Sequence, residues 1–178
     1  MFKKVLIALA IIVAMPLILA MFTAKSYDVE QEVVVNQPKS LVFDYIKQLK
    51  NQDKFSKWTR MDPDMKKSYR GIDGSVGFVS AWDSQNPEVG KGEQEIIKII
   101  EGERVDFELR FLTPFEATSP AYMITESVET DKTKVRWGFS GHMDYPMNLM
   151  LLFMDFEQII GDDLQTGLNQ LKVNLEAQ

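Results

Sequence analysis

The sequence contains no cysteine and a single histidine, His142, in 178 residues. Without cysteine there is no disulfide, no thiolate nucleophile, no cysteine-ligated zinc or iron–sulfur centre and no lipid-modified N-terminal cysteine. One imidazole excludes a multi-histidine metal site and makes any Ser-His-Asp arrangement depend on His142 alone. The glycine-rich phosphate loop, the paired zinc-binding histidines and the nucleophile elbow are also missing. Gly138-Phe139-Ser140-Gly141 is one residue short of the last of these and lies in a strand pattern. Basic residues are in the minority, with 20 Lys and Arg against 26 Asp and Glu. Two of the bases, Lys3 and Lys4, precede an apolar segment, so the rest of the chain sets 18 bases against all 26 acids. That surface argues against a nucleic-acid partner, which needs clustered cations for phosphate. Neither a metal nor a cofactor is expected.

Residues 5–24, bounded by Val5 and Ala24, carry no charge. Twenty residues at about 1.5 Å each span roughly 30 Å, the thickness of a bilayer's hydrocarbon core. Pro16 in mid-segment is tolerable in a membrane helix and costly in a soluble one. Lys3 and Lys4 lie before the segment and Lys25 alone just after it, so the positive-inside rule puts the N-terminus in the cytoplasm and the remainder outside, in the periplasm of a Gram-negative cell. The alternative is a cleaved secretory signal, for which Phe22 and Ile18 make poor cleavage contexts. The expected division is residues 1–26 as anchor and short polar tether, and 27–178 as one exported domain with 45% apolar residues to build its core.

The domain opens with a strand over 28–36, then helical patterns over 39–50, after Pro38, and over 51–58. Period-two alternation follows over 65–69, 75–82, 89–100, 104–112, 117–128 and 133–142, separated by short turns. Short connections predict consecutive antiparallel pairing. Phe78 and Trp82, then Val105, Phe107, Leu109 and Phe111, then Tyr122 and Ile124, then Val135, Trp137 and Phe139 give an apolar face. Asp106, Glu108, Arg110, Lys134 and Arg136 fall on a wet one. Glu93 and Glu95 join them as solvated sheet charges.

Near the C-terminus, residues 147–175 keep a helical beat through Leu149, Phe153, Phe156, Ile160, Leu164, Leu168, Leu171 and Leu175, which predicts one helix of about seven turns. Asp155 is expected on its outer face, and Gly161 and Gly167 allow close packing. The first half is too apolar for one buried stripe, so residues 146–154 also suit an interfacial membrane contact. A strand, two short helices, six strands and this helix give an α+β domain, a curved antiparallel sheet covered on one side.

The order and spacing of several short pieces resemble the START-like, or SRPBCC, superfamily in its polyketide cyclase and lipid-transport branch. They are Val33-Val34-Val35-Asn36-Gln37-Pro38 with Val42-Phe43-Asp44-Tyr45-Ile46, and Phe55-Ser56-Lys57-Trp58 with Asp62-Pro63. They continue with Gly74-Ser75-Val76-Gly77, Ser80-Ala81-Trp82, Val89-Gly90-Lys91-Gly92-Glu93 and Arg104-Val105-Asp106-Phe107. Thr133-Lys134-Val135-Arg136-Trp137, Gly161-Asp162-Asp163-Leu164 and Gly167-Leu168 complete the set. The resemblance runs over residues 27–175 and implies the helix-grip fold, β-αα-β6-α with about seven strands.

What such a fold implies is a cavity between sheet and helix for an apolar molecule such as a lipid or quinone. The expected lining is Trp58, Phe78, Trp82, Phe107, Phe111, Tyr122, Trp137 and Phe139 from the sheet side, with Met150, Phe153 and Met154 from the helix. Each of these is equally suited to plain core packing, and methionine suits a wall that must adapt to a flexible guest. Two alternatives stand beside a tethered carrier. One is a cyclase-type enzyme in which Tyr122 or His142 moves a proton, although His142 beside Asp144 at a strand end is expected at the surface. The other is a ligand-free envelope domain that binds a protein.

Overall fold

The computed structural model describes residues 2–177, without the side chains of Ile7, Ala8 and Ala10. Met1 and Gln178, the outer ends of the two expected regions, lie outside the described residues. Helix α1 (Phe2–Phe22) has a mean hydropathy of 3.0 over its most apolar stretch and is long and apolar enough to cross a membrane. Strand β1 (Ser26–Val35) follows after three residues. Then come α2 (Lys39–Lys47), a 3-10 segment (Leu49–Lys54), α3 (Lys57–Met61) and strands β2 (Lys66–Arg70), β3 (Val79–Asp83), β4 (Lys91–Ile100), β5 (Arg104–Thr113), β6 (Ala117–Glu129) and β7 (Lys132–His142). A second 3-10 segment (Met147–Leu152) precedes α4 (Phe156–Glu176). The seven strands form one antiparallel sheet in the order β1-β7-β6-β5-β4-β3-β2, so every neighbour pair is sequential except the closing pair of β1 with β7. Register shifts in β4 and at the end of β6 add residues to one strand of a pair, which bends the sheet.

The long helix expected over 147–175 is broken. Asp155 is the N-cap of α4, its carboxylate accepting the Gln158 N–H at 2.9 Å, so it stands neither on an outer helical face nor in a cavity. The residues before it are held by a different partner: the Asn148 side-chain amide is buried and donates to the carbonyl oxygens of Ala20 (2.7 Å) and Thr23 (3.1 Å) at the end of α1. With Asn148 turned toward α1 and Asp155 capping α4, no continuous helix connects them. The expected polar tether is also shorter than read, since the Met143 N–H donates to the Lys25 carbonyl at 2.8 Å and fixes the chain directly beyond α1. Strand β3 starts four residues later than the alternation predicts, because turn bonds from Ser75 N–H to Ile72 O and from Phe78 N–H to Ser75 O hold the preceding residues.

Helix α4 lays Leu164, Leu168, Leu171 and Leu175 against the sheet, mainly along β1, and α2 adds Val42, Phe43 and Ile46. Phe107, Ile96, Val105, Met123 and Val135 from the sheet complete the core. Gly167 makes the closest approach possible, since a Cβ there would lie 2.8 Å from Cζ3 of Trp137 and 3.4 Å from the Phe55 carbonyl oxygen. We therefore expect Gly167→Val to destabilise folding by about 2 kcal/mol through overpacking, despite valine's better helix propensity. Thermal unfolding followed by circular dichroism checks this; an unchanged or raised Tm contradicts the packing described.

Candidate functional site

The inward face of the sheet follows from register, because residues directly opposite on paired strands share a face. One row runs Phe107, Ala121, Phe139 and Val29, and a second runs Ser80, Gln94, Leu109 and Ser119. A third runs Lys67, Trp82, Gly92, Phe111 and Ala117. Phe107 and Val29 of the first row are buried core. Ala121 and Phe139 of that row, with Ser80, Gln94 and Leu109 of the second and Lys67, Trp82, Phe111 and Ala117 of the third, face a cavity of about 810 Å³ that only the N-terminal part of α4 borders.

Aromatic rings form an arc along one wall. Trp82 meets Phe111 edge-on at 6.0 Å, Phe111 meets Phe139 at 6.5 Å, Phe139 meets Tyr27 at 6.3 Å, and Tyr27 stacks on Phe156 of α4 at 5.6 Å. Trp58 and Trp137 form a second edge-on pair at 6.4 Å. The Trp82 ring lies flat over Gly92, where a Cβ would come within 2.6 Å of it. Leu109, Ile160 and Met154 add aliphatic wall, and Phe115 and Ile159 stand exposed at the rim.

Of the residues expected to line a cavity, Trp58, Trp82, Phe111, Trp137, Phe139 and Met154 do so. Five do not. Phe78 is buried core stacked on Tyr69 at 6.1 Å, and Phe107 is core at the sheet's centre. Met150 is half-buried in the 3-10 segment away from the cavity wall. Phe153 is 78% exposed and borders an outer groove of about 430 Å³ rather than the cavity. Tyr122 is on the wrong face: β6 turns Ala121 and Met123 inward, opposite Phe107, Phe139 and Trp137, so Tyr122 and Ile124 face out. The Tyr122 hydroxyl donates to the Glu30 carboxylate and the Arg104 guanidinium sits 4.2 Å from its ring centre. His142 is also outside the cavity, half exposed at the end of β7, with Nδ1 3.0 Å from the Ser26 hydroxyl and Nε2 3.3 Å from Asp144. The two suspects for proton transfer therefore do not converge. Glu93, Glu95 and Glu108 gather around Arg110 on the outer face at 2.5–2.7 Å, as solvated sheet charges do.

The structure adds polar residues that the aromatic pattern concealed. Asp53 lines the cavity and accepts from Lys67 at 2.7 Å and from the Tyr69 hydroxyl at 2.6 Å, while Lys57 pairs with Asp163 across α3 and α4. Ser56, Ser80 and Gln94 also line it and are nearly buried. Alternation carried the signal for two of these, since Gln94 is two residues from Ile96 and Ser80 two from Trp82. Among the described residues no group of three His, Asp or Glu side chains is placed to hold a metal ion.

Burial, and secondarily the hydrogen bond to Asp53, push the Tyr69 hydroxyl above its ordinary value of 10.0. The folded state thus holds its proton longer than the unfolded state. The stabilisation is complete below pH 10 and is lost as pH rises from there through the folded value. Tyr69→Phe is expected to flatten the loss of stability above pH 10 and to remove a late-ionising phenol from an ultraviolet titration. A titration curve unchanged by the substitution contradicts this contact.

No protein-family model matches the chain, and no curated protein does. Solved structures do. Ara h 8.0201 shares 13% identity over 86% of this chain and 99% of its own, with a TM-score of 0.57. Aha1 from Colwellia psychrerythraea, solved as a dimer, shares 15% over 84% and 96%, also at 0.57. The di-domain ARO/CYC StfQ of the steffimycin biosynthetic pathway shares 7% over 86% of this chain and 51% of its own, at 0.65. With identities this low over more than four-fifths of the chain, what is shared is architecture: this chain has the helix-grip fold.

Proposed function

We propose that the chain is a membrane-anchored domain that binds an apolar small molecule between its sheet and α4 and acts as its carrier or holder. The observation that carries this reading is the cavity of about 810 Å³, a volume within the range of small-molecule sites, walled by an aromatic arc instead of being filled by side chains. In this reading α1 crosses the bilayer with its N-terminus in the cytoplasm, and the domain stands outside.

The end of α1 supports an orientation as well as an anchor. Asn148 fastens it to the segment that carries the exposed Met147, Leu152, Phe153 and Met154. The groove beside this segment shares Tyr27, Met154 and Phe156 with the cavity. An apolar ledge next to an emerging membrane helix suits the headgroup boundary, and it brings the cavity's rim, including Phe115, toward lipid.

Native mass spectrometry of the full chain, released from mild detergent after extraction from membranes, tests the binding. We expect one co-purifying small molecule per chain, removed by organic extraction. Ala121→Phe, which fills the wall opposite Phe139, is expected to abolish the adduct while the fold persists. An adduct-free native chain, or an adduct unaffected by Ala121→Phe, would contradict the reading.

A further inference from the structure

Cavities made only for hydrocarbon have no use for polar side chains that lack partners. Ser80 and Gln94 line this one, retain 6% and 8% of their exposure, and make no side-chain hydrogen bond among the described residues. They are opposite each other on β3 and β4, so their side chains share a face and their Cβ atoms stand about 5 Å apart. Leu109 stands beside Gln94, and Trp82 and Phe111 lie in the next row; Tyr69, opposite Ser80, and Lys67, opposite Trp82, already spend their polar atoms on Asp53. A hydroxyl and a carboxamide thus present donors and acceptors together beside the aromatic arc.

The charged groups nearby are already committed. Lys67 is held by Asp53 at 2.7 Å and Lys57 by Asp163, so each lysine in the lining faces a carboxylate. Glu88 at the rim adds negative charge. An anionic head would find no unpaired cation and would have to be desolvated against net negative walls. A neutral head would meet two hydrogen-bonding groups open to the cavity, and would not have to shed the hydration of a charge.

We propose that Ser80 and Gln94 form the polar seat of the cavity, and that the guest is an amphipathic molecule with a long apolar body and an uncharged hydroxyl, carbonyl or amide head. This rests on the cavity-binding reading above and narrows it to a chemical class. All three tryptophans of the chain, Trp58, Trp82 and Trp137, line the cavity, so their fluorescence reports on occupancy directly.

The test is quenching of that fluorescence in the full chain, held in nanodiscs, by four brominated probes of equal chain length: bromoundecanol, bromoundecanamide, bromoundecanoate and headless bromoundecane. Lipid partitioning of each probe is measured separately and corrected for. At a pH where the acid is ionised, the alcohol and amide are expected to half-quench at about tenfold lower concentration than the carboxylate. Gln94→Met with Ser80→Ala is expected to raise the half-quenching concentration of the alcohol and the amide about tenfold, while continued quenching by the headless probe shows that the variant keeps its cavity. Equal or tighter binding of the carboxylate in the unaltered chain, or alcohol and amide binding that is unaffected by both substitutions, would overturn the assignment of the seat. Absence of quenching by every probe in the unaltered chain would instead overturn the cavity reading on which it rests.

Discussion

A single helix is too narrow to cover this sheet. Seven strands spaced about 4.8 Å apart make a surface roughly 29 Å wide, and a helix with its side chains is about 10 Å across. Helix α4 settles along β1, where its leucines reach the central core, and α2 closes part of β6 and β7. The inward rows of β2 to β5 near Trp82 and Gln94 are left facing space, because among the described residues only α3, the 3-10 turn before it, the N-terminal end of α4 and the loops at Val89 and Phe115 approach them. The curvature that lets the sheet grip α4 is the same curvature that lifts this part of the wall away. Closing the gap would take a second cover, which the chain does not supply among its described residues.

Most of the architecture was legible because period-two alternation and short turns leave few topologies open. The strands from β4 to β7 fall within a residue or two of the spans that pattern gives, and the family resemblance implied the same fold. What failed did so for identifiable reasons. Tyr122 and Ile124 are larger than Ala121 and Met123, so reading β6 by bulk selects the wrong phase; only the register with Phe107 and Trp137 decides it. The break before α4 was hidden because Leu149 and Phe153 continue the helical spacing across it by coincidence. The deciding groups, Asn148 and Asp155, act through hydrogen bonds that a hydrophobic pattern does not register.

The site was only half visible for a related reason. Large aromatics announce a wall, and five of those named, with Met154, form part of it, but periodicity cannot tell a ring facing a cavity from one packed in a core. Phe107 and Phe111 sit four residues apart on one strand face, and only the depth at which α4 lies separates them. Lys67 and Asp53, charged residues that an aromatic pattern does not select, become lining because β2 and the 3-10 turn fold toward each other at the sheet's edge. Small polar residues at inward positions were the overlooked signal.

Whether space remains between sheet and helix in the purified protein is the point on which everything else turns. A high-resolution experimental structure of the full chain, purified without a delipidating step, tests it most directly. The account predicts elongated non-protein density along Trp82, Phe111 and Phe139, ending in a polar atom near Ser80 and Gln94. A chain in which α4 and α3 have closed on those rings, with side chains filling the volume, would contradict it.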